Sequence, residues 1–452
     1  MQFTPAPFER RVVASLAALY SFRMFGLFML LPVLALYGAD YEGSTPFLLG
    51  LALGAYGFSQ ALLQIPFGIA SDRIGRKPVI LAGLIIFIMG SIVAAQAETM
   101  VELIVGRLLQ GGGAISAAVM ALLIDLTSEQ NRTKAMATIG ASIGVSFSVA
   151  LTVGPLMAAW GGMSSIFWLT AVLGAAGIYI LYKVIPSVKR EARPVRETGT
   201  VPVLLWQTLK NPELMRLNLG IFSLHFILMA NFMVLPQTLV EQLDISRDYH
   251  GVLYFPLLAL AFVVMLPFVI VAEKRRKIKP VFLGAVGLLV LMELALIKAP
   301  PSLPLTLGAM FLFFVAFNLL EATLPSMVSK IAPAGSKGTA TGIYSTCQVL
   351  GVFSGGALSG WLLQHVGLTA PLLLGAVLAA VWLLVAWFMR QPRFLASLLI
   401  PLGEINPANI VDKLQGLDGV EEVLVVASEG TIYLKVDPRL VDRQALTAIV
   451  EG

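Results

Sequence analysis

The chain has 452 residues, of which 58% are hydrophobic and 13% charged, and its mean hydropathy is +0.86. A soluble domain carries about 45–50% apolar and about 25% charged residues, so the composition excludes a cytosolic enzyme and a disordered chain and leaves an integral membrane protein built of helices. The net charge of +5 does not point to nucleic acid, because the basic residues fall between apolar runs, and the single Cys347 excludes a disulfide framework or a cysteine metal site within one chain.

A bilayer core of about 30 Å takes about 20 apolar residues per helix. Twelve such stretches are predicted in chain order: residues 12–37, 46–70, 78–96, 99–126, 135–159 and 164–185, then 214–240, 251–272, 280–297, 304–328, 339–363 and 369–389. The first is too long for a cleavable signal peptide and lacks a small-residue cleavage site. The longest interior polar stretch divides the spans six and six. The predicted units are a first half (1–185), a linker (186–213), a second half (214–390) and a C-terminal domain (391–452).

Lys and Arg gather around residues 10–11, 73–77, 132–134, 183–216, 274–279, 330–337 and 390–393, whereas the segments assigned to the opposite side hold only Arg247 and Lys298. Short cytoplasmic loops carry the basic excess, which predicts that both termini are cytoplasmic. The halves also echo each other. Asn131-Arg-Thr-Lys-Ala-Met-Ala-Thr-Ile-Gly before span five is similar to Gly335-Ser-Lys-Gly-Thr-Ala-Thr-Gly-Ile before span eleven. Repeats of this kind predict alternating access, with a substrate site near the midplane between the halves.

Three motifs lie in the first half. Between spans two and three stands Gly68-Ile-Ala-Ser-Asp72-Arg73-Ile-Gly75-Arg76-Lys77. Here Gly68 lets another helix approach, and Gly75 permits a turn with positive φ. Asp72 can face a helix N-terminus, and Arg73 or Arg76 can pair with a carboxylate at the membrane edge. The plainer reading is a basic cytoplasmic anchor. Span four holds Leu103-Ile-Val-Gly-Arg107-Leu-Leu-Gln110-Gly111-Gly-Gly113, and an arginine at that depth is a functional candidate facing the bundle interior. Its alternative is hydrogen bonding to backbone where the glycines let helices pack. Span five carries Gly140, Gly144 and Gly154-Pro155, the last pair a predicted helix kink of gating or merely architectural use.

These motifs resemble the signatures of the major facilitator superfamily, in particular its drug:proton antiporters. The resemblance implies an all-α membrane protein of twelve transmembrane helices in two six-helix halves, placed in a bacterial inner membrane. It also implies that Asp72 faces the start of span eleven near residues 337–341, that the loop's basic residues pair with Asp125 as a conformational latch, and that Arg107 is linked to proton transfer. The sequence departs from the pattern in two places. The signature ending Gly-Pro-x-x-Gly-Gly closes here with Ala158-Ala159, and span one lacks the carboxylate that many such antiporters place there.

A proton-driven carrier needs a group that takes a proton within the membrane. The candidates are His225 in mid-span seven, Glu321 in the inner half of span ten and Glu293 near the outer end of span nine, with Arg107 beside them in role. For His225 the alternative is a hydrogen bond between helices, and for Glu293 an interfacial carboxylate reaching lipid headgroups. Mid-span residues Arg23, Phe28, Gln60, Gln64, His225, Asn231, Phe314 and Asn318 are the candidate cavity. A mostly apolar pocket with a few polar groups suits small amphipathic compounds. The expected partners are such a substrate, protons and membrane lipid. No cofactor, resident metal or enzymatic residue set is expected, and the absence of a G-x-x-x-x-G-K-[ST] motif excludes ATP hydrolysis in this chain as the energy source.

Beyond span twelve the pattern reads strand (393–402), helix (407–415, capped by Asn406), strand (420–427), a turn at Glu429-Gly430, strand (431–436) and helix (441–450). With Leu417-Asp-Gly419-Val420-Glu-Glu-Val423 it resembles the small α/β ferredoxin-like fold of heavy-metal-associated domains. Their Cys-x-x-Cys loop is here Gly403-Glu404-Ile405-Asn406, which excludes thiolate metal binding. A regulatory role through a ligand or protein partner is expected, with simple packing as the alternative. A membrane sensor that has lost transport and signals through this domain is the competing function.

Overall fold

The computed structural model describes residues 7–127, 129–186, 202–298, 302–333, 336–391, 396–401, 411, 413–426, 431–437 and 440–441. Eleven continuous helical stretches there are long and apolar enough to cross a membrane. One of them lies within the helix Glu129–Lys183, which is broken by non-helical backbone at Gly161 and at Gly162, where φ is +68°. Spans five and six meet at that break, so twelve spans are present among the described residues.

Spans two and three are Pro46–Ile74 and Arg76–Ala95; spans seven to twelve are Pro212–Glu241, His250–Lys274, Ile278–Lys298, Leu303–Ile331, Lys337–His365 and Ala370–Trp387. Polar side chains set several starts. Thr45 accepts from the Leu48 N–H, Thr99 and Glu102 form a capping box, and Asn211 accepts from the Glu213 and Leu214 N–H groups.

Two spans differ from their predicted continuity. Span one divides into Pro7–Phe28 and Leu31–Tyr37, and span four into Met100–Gly112 and Ser116–Leu126. In span four the cause is packing. A Cβ added at Gly113 would lie 2.4 Å from the Gly83 carbonyl oxygen of span three, and a run of glycines holds helix weakly against such an approach. The linker also contains a helix, Pro202–Lys210, that its polar composition did not suggest. Residues 187–201 of that linker lie outside the described residues.

The halves pack at one end and part toward the other. In span two, ten residues between Leu49 and Gln60 are buried, whereas from 61 to 74 only Gln64 and Ser71 are. The reason is a run of glycines on spans two and eleven. A Cβ at Gly50 would stand 2.1 Å from the Gly356 carbonyl oxygen, and one at Gly54 2.7 Å from that of Phe353. Gly251 of span eight similarly lies against the Thr152 carbonyl of span five, 2.9 Å from its notional Cβ. The closed end is the one that carries residues 38–45 and 242–249. At the other end, a Cβ at Gly140, Gly144 or Gly342 would meet nothing within 4 Å.

Three strands follow the spans: β1 (Ala396–Pro401), β2 (Val420–Val426) and β3 (Thr431–Val436). The order is β1-β3-β2 with β3 antiparallel to both, and Leu398, Leu434 and Val423 lie in register. Leu414, Ile432, Leu434 and Val436 form a small core of their own. Asn406, the 403–406 loop, the turn at Glu429-Gly430 and residues 442–450 of the expected last helix lie outside the described residues. One contact to the spans is a hydrogen bond from Lys435 Nζ to the Lys330 carbonyl, 3.0 Å, at the end of span ten. Because the sheet has its own core and the spans bury their faces in one another and in lipid, truncation after Gln391 is expected to leave all spans inserted. A monodisperse size-exclusion peak at near wild-type yield checks this; wholesale degradation would make the sheet part of the structural core.

Candidate functional site

At mid-depth an aromatic cluster joins the halves. Phe28 of span one meets Phe147 of span five edge-on at 5.0 Å between centroids. Phe147 stacks on Phe317 of span ten at 5.3 Å and lies 6.3 Å from Phe314, while Phe317 lies 5.8 Å from the His225 ring of span seven. Phe28, Phe314 and His225 were expected here. Phe147 and Phe317 were not, because nothing separates two phenylalanines from the other twenty-three in sequence.

On the first-half side, polar groups gather around one ring. The Arg23 and Arg107 guanidinium carbons lie 5.6 and 5.1 Å from the centroid of Tyr56. Arg23 donates to Ser116 Oγ (2.7 Å) and Gln60 Oε1 (3.0 Å). Arg107 donates to Gln110 Oε1 (2.8 Å) and the Ala52 carbonyl (3.4 Å), and Gln110 in turn donates to Ser91 Oγ (2.8 Å). Gln64 is buried with its Oε1 unpartnered. Tyr56 could have been found from phase, since it stands one helical turn before Gln60.

On the second-half side three spans meet at Gln348. His225 Nδ1 lies 3.2 Å from the Ile221 carbonyl and donates to it, which leaves Nε2 as an acceptor. Gln348 Nε2 donates to that Nε2 at 2.9 Å and to Glu321 Oε1 at 3.2 Å. Glu321 Oε2 stands 3.9 Å from the imidazole and has no hydrogen-bond partner. Gln348 carried no sequence signal; it is one polar residue on a span with several. Asn318 is half-buried with its Nδ2 unpartnered.

Asn231 departs from expectation, and for Glu293 the interfacial alternative does not hold. Glu293 is fully buried rather than interfacial, and Asn231, 2% exposed, donates to its Oε1 at 2.7 Å. Gly375 of span twelve closes the site, its notional Cβ 3.3 Å from Glu293 Oε2. Asn231 is therefore committed to span nine rather than to the cavity.

At the open end Arg76 donates to Asp125 Oδ2 (3.1 Å) and Ser71 Oγ (2.9 Å) and pairs with Asp72. These partners all belong to the first half, so the cluster ties spans two, three and four together. Gly75 adopts φ +115° and Lys77 Nζ reaches the Ile185 carbonyl at 2.5 Å. Arg73 is exposed. Gly68 is not crowded: its notional Cβ meets Ala117 at an ordinary 3.5 Å. Gly154, beside Pro155, works by close approach, since a Cβ there would lie 2.2 Å from the Met29 carbonyl where span one breaks. The non-helical dihedrals of that long helix lie at Gly161 and Gly162, not at this expected kink.

Two six-helix halves around a midplane cluster can expose that cluster to one side at a time. Residues 16–356 match the Major Facilitator Superfamily. The chain belongs to that superfamily. It is 45% identical over 439 residues to the inner membrane transport protein YajR of Escherichia coli (strain K12), covering 97% of this chain and 96% of that protein. The multidrug resistance protein MdtH of Aeromonas salmonicida (strain A449) is more distant, 25% identical over 380 residues, 81% of this chain and 93% of MdtH. The crystal structure of a bacterial homologue of the human lysosomal transporter Spinster, inward-facing and occupied, shares the fold with a TM-score of 0.68 at 13% identity over 85% of this chain and 97% of that one. The protein is a multi-pass membrane transporter.

Proposed function

We propose that this transporter exports small amphipathic compounds in exchange for protons, from a bacterial inner membrane in which both termini are cytoplasmic. The observation that carries the reading is the bridge His225–Gln348–Glu321, made by spans seven, eleven and ten beside the aromatic cluster. A proton taken at His225 Nε2 turns that atom from acceptor to donor. It displaces the Gln348 N–H and frees the imidazolium to pair with Glu321 Oε2, 3.9 Å away. Gln348 sits on span eleven, whose far half closes the transporter against span two. Protonation is thereby passed to the gate.

The excess of Lys and Arg on one side supports this orientation, in which the open end faces the cytoplasm and receives substrate. Arg76, with Asp72 and Asp125, keeps the first half rigid as Gly68, Arg73, Gly75 and Lys77 pass the latch position during closure. The helices divide functionally as 1–185 and 214–390 around the linker 186–213. The name of MdtH favours efflux over uptake. For 391–452, a strand order with β3 between β1 and β2, and helical residues 413–415 between those two, supports a ferredoxin-like domain that modulates span ten through Lys435.

Reconstituted vesicles with an imposed pH gradient and a lipophilic fluorescent dye test the proposal. Wild type should move dye uphill with counterflow of protons, and His225→Gln and Glu321→Gln should each reduce the proton-driven component at least tenfold while leaving downhill exchange measurable. Uphill movement untouched by both substitutions would overturn the coupling assignment.

A further inference from the structure

We infer that the cluster of Arg23, Arg107 and Tyr56 is a binding site for an anionic group, so that the amphipathic substrate is an organic anion with an apolar body and a carboxylate or sulfonate head. The inference names the substrate class of the transport reading and rests on it for the word substrate; the anion site is a binding claim of its own.

Two charges carry it. Arg23 is 2% exposed and Arg107 not at all, both in mid-membrane. Every Asp and Glu of the first half lies in a loop or in the first or last turn of a helix, so no acid of spans one to six reaches that depth. The partners of the two guanidinium groups are neutral: a serine hydroxyl, two glutamine carbonyls, one backbone carbonyl and a shared tyrosine ring. Hydrogen bonds to neutral oxygens satisfy donors but leave two positive charges uncompensated in a region where an unpaired charge costs several kcal/mol.

The guanidinium donors are not all used either. Arg23 Nε and Arg107 Nη2 are buried without a hydrogen-bond partner. Two unfilled guanidinium donors beside one ring, with two positive charges, are the complement of a carboxylate or sulfonate, whose oxygens accept several bonds at once. A cation finds only repulsion here. The second half supplies the opposite bias, since Glu321 would repel an anionic head and so orients it toward spans one, two and four. Phe28 packs against the same Tyr56 cluster and continues into the midplane aromatics, giving the apolar body a surface. Toward the open end Tyr20 and Ile143, both half-buried, pack against the cluster.

The test uses the full chain in nanodiscs of zwitterionic lipid, with labelled naphthalene-2-sulfonate as probe. Saturable binding is expected, displaced by unlabelled sulfonate but not by the neutral naphthalene-2-sulfonamide or by the naphthylmethylammonium cation. Arg23→Gln and Arg107→Gln should each weaken binding tenfold or more. If a variant does not fold, the displacement order on wild type still decides the matter. No saturable sulfonate binding, or displacement by all three compounds alike, would overturn the anion site. Sulfonate binding without uphill movement in the vesicle assay would remove the transport reading and leave the site; proton-driven movement of a cationic dye without sulfonate binding would do the reverse.

Discussion

Replacing Gly50 and Gly54 of span two by alanine is expected to drive the transporter out of the conformation described here. At both positions the obstacle to a methyl group is backbone. A Cβ at Gly50 would stand 2.1 Å from the Gly356 carbonyl oxygen and 2.9 Å from the Gly360 Cα; one at Gly54 would stand 2.7 Å from the Phe353 carbonyl oxygen and 2.8 Å from its Cα. No rotamer change relieves such overlap, so the helices must separate, and forced separation of a packed interface costs about 1–3 kcal/mol per methyl. The contact exists only while spans two and eleven are closed at this end. The penalty therefore falls on one state of the cycle, and each methyl shifts the equilibrium by roughly 5–150-fold toward the other. In a Cys347→Ser background with Leu53→Cys, a residue only 1% exposed in this conformation, labelling by a membrane-impermeant maleimide should rise several-fold in Gly54→Ala. Gly284→Ala, whose Cβ meets nothing within 4 Å, should leave it unchanged. Equal labelling in all three would show that the glycine contact does not hold the closure.

That contact also shows where sequence reading stops. The spans were legible because a bilayer demands long apolar runs, and the break between spans five and six fell where the runs parted. The glycines were legible as small residues but not as a pair of facing surfaces, because which helix they meet is a property of the tertiary arrangement. The same holds for the interruption of span four, which exists because Gly83 brings its carbonyl to within 2.4 Å of a Cβ at Gly113. Polar residues in apolar spans announced themselves singly: His225, Glu321, Arg23 and Gln60 were all visible. Their bonding was not. Gln348 had no signal until it was found between two of them, and Asn231 was assigned to the cavity although its amide is turned to Glu293. Charge balance was the exception. The absence of any acid of spans one to six at the depth of Arg23 and Arg107 is written in the sequence and acquires meaning once both guanidinium groups are seen on one tyrosine.

Glu293 offers the sharpest separation of a structural role from a coupling role. Its side chain is fully buried between spans seven, nine and twelve, with Asn231 Nδ2 on Oε1 at 2.7 Å; Glu293 Oε2 and Asn231 Oδ1 are both left without a partner. With a proton on Oε2 the acid offers one donor and one acceptor, the complement of the Asn231 amide, so that two bonds can form. Glu293→Gln supplies the same two bonds with an N–H in place of the O–H. It is expected to fold at wild-type yield with a melting temperature within a few degrees. Glu293→Ala leaves the Asn231 amide buried with neither bond and opens a cavity; interhelical hydrogen bonds in membranes are worth about 0.6–2 kcal/mol, and the cavity adds to that. A loss of about 2–4 kcal/mol follows, read as a marked drop in melting temperature that Asn231→Leu in the same chain should partly restore by removing the orphaned amide. Proton-driven transport is expected to survive Glu293→Gln, because this pair lies behind span seven and away from the His225–Gln348–Glu321 bridge. Loss of proton coupling in a folded Glu293→Gln protein would transfer the coupling role to Glu293 and demote the bridge, whereas its retention leaves Glu293 as the residue that holds span seven to span nine while the bridge moves.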